Sequence, residues 1–187
     1  QSPDRDPRVR FNSFPMEEIH DLGRPSGSVD LTRYRNELEA LRKEYGRRLN
    51  CLITEPYLGG GGRYHPPKEY LQLLQAFCRE NDILFILDEV QSNFGRTGRM
   101  YAFEKYEIEP DFVCLGKGLG NGVPVSAAVG RGDVMASLQY GEASDTWSAS
   151  PLACGSVAAT LDEFESTGVL GDAPQHVVDR VPLGLPS

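Results

Sequence analysis

Two spacings of apolar residues alternate along this chain. One recurs every three or four positions, as on a helix face; the other is a short unbroken run, as in a buried strand. From Asp30-Leu31-Thr32 onward, Tyr34, Leu38, Leu41 and Tyr45 fall on one side of a predicted helix, and Gly46 is placed to stop it. Leu49 to Thr54 suits a buried strand, closed by Glu55-Pro56 because proline cannot continue a ladder. Glycines 59 to 62 and Pro66-Pro67 then make a turn into a helix over Lys68 to Asn81, with Tyr70, Leu71, Leu74, Phe77 and Cys78 as its core stripe. Ile83-Leu84-Phe85-Ile86-Leu87 is continuously apolar, as in a parallel strand covered on both faces, and ends on Asp88-Glu89. Further strands are expected at Phe112 to Leu115 and at Val125 to Val129, and a last helix at Pro151 to Glu165. Strands alternating with helices define an α/β domain with a mainly parallel sheet flanked by helices.

Residues 1–30, rich in Arg, Asp, Pro, Ser and Gly, read as a loop or extended segment. The 187 residues are enough for one domain with its own core. A net charge of −8 disfavours a general role on nucleic acid, although a local phosphate site built from backbone N–H groups remains compatible with it. No apolar run is long enough for a membrane span and no signal peptide is visible, so the expected location is cytoplasmic. The first residue is Gln1, as in a chain that begins inside a longer product. Cys51, Cys78, Cys114 and Cys154 form no CxxC pair, and each sits in an apolar stretch, so buried reduced thiols are expected.

In open α/β sheets ligands bind beyond the carboxyl ends of the strands. Glu55, Asp88 and Lys117 all stand at such ends, and an acid and an amine on neighbouring strands are suited to hold a ring and attack a carbonyl. On the spacing alone, solvated strand-end charges are the favoured reading. The glycines around Lys117 (Gly116, Gly118, Gly120 and Gly122) do not have the spacing of a nucleotide-phosphate loop. Arg96 and Arg99 read as turn or surface residues, the isolated His20, His65 and His176 as non-ligands, and Tyr101, Tyr140 and Trp147 as core or interface residues.

The local sequences say more. Asp88-Glu89-Val90-Gln91 is followed by Phe94-Gly95-Arg96-Thr97-Gly98, and Gly116-Lys117-Gly118-Leu119-Gly120 by Val123-Pro124. This order resembles the class III aminotransferases, fold type I enzymes that use pyridoxal 5'-phosphate, in which a DEVQ-x-x-FGRTG segment precedes a lysine in a glycine-rich loop. Glu55-Pro56 before a glycine-rich turn, and Thr146 with Pro151-Leu152-Ala153-Cys154, extend the resemblance over roughly Asn50 to Ala173.

The resemblance implies that residues 31–173 form the central part of a fold type I large domain, with 174–187 an unmatched tail. It implies that Lys117 carries the cofactor as a Schiff base and later moves a proton. Asp88 is implied to pair with the pyridine nitrogen and keep it protonated. Val90 is implied to pack on the ring face, Gln91 to lie near the phenolic oxygen, and Glu55 to line the substrate side. Thr146 is implied to reach the cofactor phosphate of a neighbouring subunit, which makes a homodimer the expected assembly. The reaction implied is transfer of an amino group from an amino acid or amine to a keto acid or aldehyde.

The chain departs from the family in several places. The family's upstream phosphate-gripping turn and ring-stacking aromatic, and its downstream small domain, have no counterpart in these residues. Leu58 and Gly60 stand where many members have Gln and a second Glu, and Trp147-Ser148-Ala149-Ser150 follows Thr146 in place of an aromatic, two glycines and Asn. Two expectations therefore stand side by side: part of a working aminotransferase, or a truncated non-catalytic remnant acting, if at all, as an interaction module.

Overall fold

A computed structural model describes residues 30–60, 65–143, 145–168 and 170. Residues 1–29 of the expected leading segment, the unmatched tail, Gly61, Gly62, His20 and His176 lie outside the described residues.

Helix α1 spans Thr32–Tyr45, and buries Tyr34 and Leu38. The Thr32 N–H donates to Asp30 Oδ1 at 2.9 Å ahead of its first turn. Gly46 ends it at a φ of +55°, a conformation that costs glycine nothing. Strand β1 is Cys51–Thr54. Helix α2 covers Lys68–Glu80, entered from Pro67, and buries Tyr70, Leu71, Leu73, Leu74, Gln75, Phe77 and Cys78. Strand β2 is Leu84–Asp88, α3 the short helix Ala102–Tyr106, and β3 Phe112–Leu115. A 3-10 turn, Lys117–Gly120, precedes β4 at Ala127–Gly130, α4 at Gly132–Met135 and α5 at Pro151–Thr167.

The sheet order is β1-β2-β3-β4. β1, β2 and β3 run parallel, and β4 is antiparallel to β3. The mainly parallel α/β architecture is thus present. The last strand starts two residues later than the apolar pattern suggests, because β3 ends at Leu115, opposite Ala127, and leaves residues 125 and 126 no strand to pair with.

Side chains alternate between faces along a strand. The register puts Leu52, Phe85, Leu87, Val113 and Leu115 on one face. Phe85, Leu87, α1, α2 and α3 share the main core with Ile83 and Ile108. Tyr34 meets Tyr70 edge-on there, with ring centroids 5.5 Å apart. Val113 and Leu115 join Leu119 in a second cluster closed by Phe94, Val125 and Val157 of α5.

The opposite face corrects one expectation. Cys51 is exposed, Ile53 is 54% exposed, and Leu84, Ile86, Phe112 and Cys114 are only half-buried. The run ending at Leu87 is therefore buried on one side, since the described core gathers on that side alone. The thiols follow the same division. Cys78 is buried and Cys114 half-buried, but Cys51 and Cys154 are exposed, against the expectation of four buried thiols. Burial pushes the Cys78 thiol up to about 12. Among the described residues, no helix is long and apolar enough to cross a membrane.

Candidate active site at the carboxyl edge of the sheet

Because β1, β2 and β3 are parallel, their carboxyl ends share one edge of the sheet, and the loops that follow carry the candidate residues. Glu55 directly follows β1 and is half-buried, and its Oε2 accepts the Gly59 N–H at 3.3 Å. Asp88 is the last residue of β2, level with Cys114 of β3. Its Oδ1 accepts the Val90 N–H at 3.0 Å, which folds the chain sharply away from the strand. The Glu89 N–H then donates to Cys114 O at 3.0 Å and prolongs the β2–β3 ladder by one step. The Cys114 thiol is raised, first by burial and second by the neighbouring Asp88 carboxylate.

Lys117 opens the 3-10 turn after β3, and its side chain is exposed. Its φ is +45°, the left-handed region that a residue with a Cβ adopts at a cost of roughly 1–2 kcal/mol. A cleft of about 580 Å³ opens beside it, lined by Gly122, Val123, Pro124, Val125 and Ser126. The parallel topology therefore brings Glu55, Asp88 and Lys117 to one edge, as the strand-end reading expects.

Val90 and Gln91 occupy the loop between these groups. Val90 packs against the backbone ahead of Lys117: a Cβ built on Gly116 would meet Val90 Cγ1 at 3.3 Å. The Gln91 side chain lies across Gly59, whose Cβ would fall 1.6 Å from Gln91 Oε1. Glycine at 59 thus lets the loop after β1 come under the loop after β2. The Tyr57 hydroxyl holds the same junction by donating to Gln91 O at 3.2 Å. Thr146 is placed differently. It is exposed on the turn before α5, and no described contact links it to Asp88 or Lys117.

Several residues that organise the site were not singled out by motif reading. Glu89 is 0% exposed and accepts three hydrogen bonds: from the Ser92 hydroxyl at 3.1 Å, the Ala102 N–H at 2.7 Å and the Phe103 N–H at 2.8 Å. It pins α3, whose first N–H groups have no partner within the helix, to the end of β2. Burial raises its carboxyl above the usual range, opposed by the three donors. Asn93 is 2% exposed, and its Nδ2 donates to Gly116 O at 3.1 Å. Ser156 of α5 donates to Gly120 O at 2.6 Å, at the far end of the lysine turn. No signal in the sequence marked Glu89 for burial, since an acid just after a strand is ordinarily solvated.

Other expectations divide. Arg96 and Arg99 are exposed on a tight turn in which the Phe94 N–H donates to Met100 O at 2.7 Å and the Gly95 N–H to Arg99 O at 3.1 Å. Tyr101 is half-buried and stacks on Phe103 at 5.3 Å. Tyr140 and Trp147, expected in a core or interface, are fully exposed and 85% exposed in the single chain. The reason is that their turn precedes α5 without packing on either core cluster.

Comparison with known proteins identifies the family. The aminotransferase class-III family profile matches residues 7–181, and the chain belongs to that family. It is 39% identical over 130 residues to the acetylornithine aminotransferase of Methanocaldococcus jannaschii, covering 70% of this chain and 33% of that protein. It is 36% identical over 163 residues to the isoleucine 2-epimerase of Lentilactobacillus buchneri, covering 86% and 34%. Among solved structures it is similar to the ornithine aminotransferase of Toxoplasma gondii, whose active site holds pyridoxal phosphate at partial occupancy. The TM-score is 0.67 at 33% identity, covering 75% of this chain and 32% of that one. These likenesses place the sheet in the fold type I architecture. The chain spans about a third of the length of the curated relatives it matches.

Proposed function

We propose that this chain is the catalytic centre of a pyridoxal-phosphate-dependent aminotransferase, with Lys117 as the cofactor lysine. The observation that carries the reading is the placement, on one edge of the sheet, of a half-buried carboxylate, Asp88, at the last position of β2, and an exposed amine, Lys117, just beyond the parallel neighbour β3 and beside an open cleft. This donor set suits the cofactor: one amine to condense with its aldehyde and one carboxylate to pair with its ring nitrogen. When bound, pyridoxal phosphate supplies an electron-withdrawing ring that stabilises negative charge on a substrate carbon.

The chain's own groups do the rest. Lys117 would hold the cofactor through its amine and, when free, would carry a proton at Nζ. Asp88 keeps the ring nitrogen charged. Val90 and Gln91 bound the ring and its phenolic oxygen, and Glu55 lines the substrate side. Thr146, exposed in the single chain, serves the phosphate of a second copy, so the assembly is a homodimer in the cytoplasm. The substrates are an amino acid or amine donor and a keto acid or aldehyde acceptor. The half-exposed sheet face favours activity only when the remaining length of a family member is joined to this part. The isoleucine 2-epimerase relative supports one second reading, epimerisation of an amino acid by the same lysine.

The test is to add pyridoxal phosphate to the full-length protein, reduce with borohydride and map the labelled peptide. Label concentrated on Lys117, with turnover lost in Lys117→Ala, is the expected result. Label scattered over surface lysines, or turnover retained in Lys117→Ala, overturns the assignment.

A further inference from the structure

Lys117 keeps a strained backbone conformation, and something has to hold it there. Its φ of +45° is set by the orientation of the peptide unit that joins it to Gly116. The carbonyl of that peptide accepts two hydrogen bonds. One comes from the Leu119 N–H at 3.0 Å, within the turn itself. The other comes from outside the turn, from Asn93 Nδ2 at 3.1 Å.

Asn93 is itself firmly held. It is 2% exposed, and its backbone N–H donates to Glu89 O at 3.0 Å. Its Oδ1 lies 3.3 Å from a Cβ built on Gly118, so its carboxamide fills the space under the lysine turn. The next residue, Phe94, has a φ of +48°, and its Cβ would lie 3.1 Å from the same built Gly118 Cβ. The far end of the turn is tied separately, through Ser156 and Gly120. Asn93 is therefore a hydrogen-bonding side-chain link between the loop that follows Asp88 and the peptide that sets the direction of Lys117. It also occupies one of the two positions, with Ser92, that the DEVQ-x-x-FGRTG resemblance leaves unspecified.

We propose that Asn93 is a positioning residue for Lys117. By donating to Gly116 O it holds the Gly116–Lys117 peptide so that the amine projects from the turn in the orientation that reaches the cofactor aldehyde. The proposal rests on the function assigned above. Asn93 acts through the lysine backbone and has no contact of its own with cofactor or substrate. Two elements thus share one alignment: the loop after β2 that carries Asp88, Val90 and Gln91, and the turn that carries Lys117. Beside the packing of Val90 on Gly116, the buried Asn93 amide ties the second to the first by a hydrogen bond.

The experiment uses the full-length protein and pyridoxal phosphate. The rate at which borohydride-trapped cofactor appears on Lys117 is followed by peptide mapping in wild type, Asn93→Ala and Asn93→Asp. Asn93→Asp keeps the shape of the side chain and removes the donor, and it decides the matter if Asn93→Ala fails to fold. Trapping on Lys117 is expected to slow about tenfold in both variants, from the loss of one buried hydrogen bond. Far-UV circular dichroism is expected to be unchanged. Cofactor affinity is measured in parallel in a Lys117→Ala background, where adding Asn93→Ala is expected to change it less than about twofold, since Asn93 acts only through the lysine. Trapping at the wild-type rate in a folded variant overturns the proposal. So does a loss of affinity of about twofold or more in the Lys117→Ala background, which marks Asn93 as general scaffold. A wild type that traps cofactor elsewhere overturns the assigned function as well, whereas a wild type and variants that all trap on Lys117 equally overturn only the role of Asn93.

Discussion

Replacing Glu89 by alanine tests whether the candidate site depends on one buried carboxylate. The residue is 0% exposed and holds the Ala102 and Phe103 N–H groups and the Ser92 hydroxyl. Truncation leaves two backbone donors at the start of α3 without a partner, at about 1–3 kcal/mol each. It also relieves the cost of burying a charge, which burial registers by raising the carboxyl above its ordinary range. The net loss is set at about 2–4 kcal/mol, large against a domain's total stability. The pH dependence has a definite sign. A carboxyl whose folded value is raised binds more protons folded than unfolded, so its contribution is fully present below the unfolded value and is lost as pH rises through the folded one. The stability gap between wild type and Glu89→Gln, which does not titrate, is therefore widest below about pH 4.5 and narrows as pH rises from there. Urea unfolding of both proteins, followed by circular dichroism across that range, measures it. A cost below about 1 kcal/mol for Glu89→Ala, or a gap that widens with pH, refutes the reasoning.

Three further outcomes are expected. Gly59→Ala puts a Cβ where Gln91 Oε1 lies, 1.6 Å away, so the flexible Gln91 end swings out. Stability should change by less than about 1 kcal/mol while turnover falls, as urea unfolding and steady-state kinetics would show; unchanged turnover would remove Gln91 from the site. Leu71→Ala, at a position with 0% exposure in the main core, should cost about 2–5 kcal/mol in urea unfolding. A thiol reagent should modify exposed Cys51 and Cys154 promptly in the native single chain and reach Cys78 only on unfolding, because burial holds that thiol up to about 12; prompt modification of Cys78 would contradict its placement.

Much of the architecture was legible in the residues because local rules govern it. The stripe from Tyr70 to Cys78 repeats at the helical period, and α2 forms there, since an amphipathic helix needs only one face to bury. Gly46 and Pro67 bound the first two helices through backbone geometry that is a property of the residue itself. Strand ends at Glu55, Asp88 and near Lys117 were visible because apolar runs stop at charges, and parallel topology then necessarily puts those ends on one edge. The antiparallel sense of β4 and its later start were not visible. Strand direction depends on how the chain returns after the Lys117 turn, and an apolar run has the same pattern in either direction.

By itself, then, the sequence determined the two long helices before the site, the last helix, the three parallel strands and their order, and it carried the family resemblance with Asp88 and Lys117 as candidate residues, because each depends on neighbours along the chain. Only the tertiary structure decided that one sheet face is covered and the other left half-exposed, and that Cys51 and Cys154 lie open while Cys78 is buried. Only it decided that Glu89 and Asn93, rather than more conspicuous arginines and aromatics, hold the site together. The physical reason is range. Periodicity and capping act over a few residues, whereas the bonds from Glu89 to Ala102 and Phe103 and from Asn93 to Gly116 join parts of the chain that become neighbours only once the parallel strands have paired.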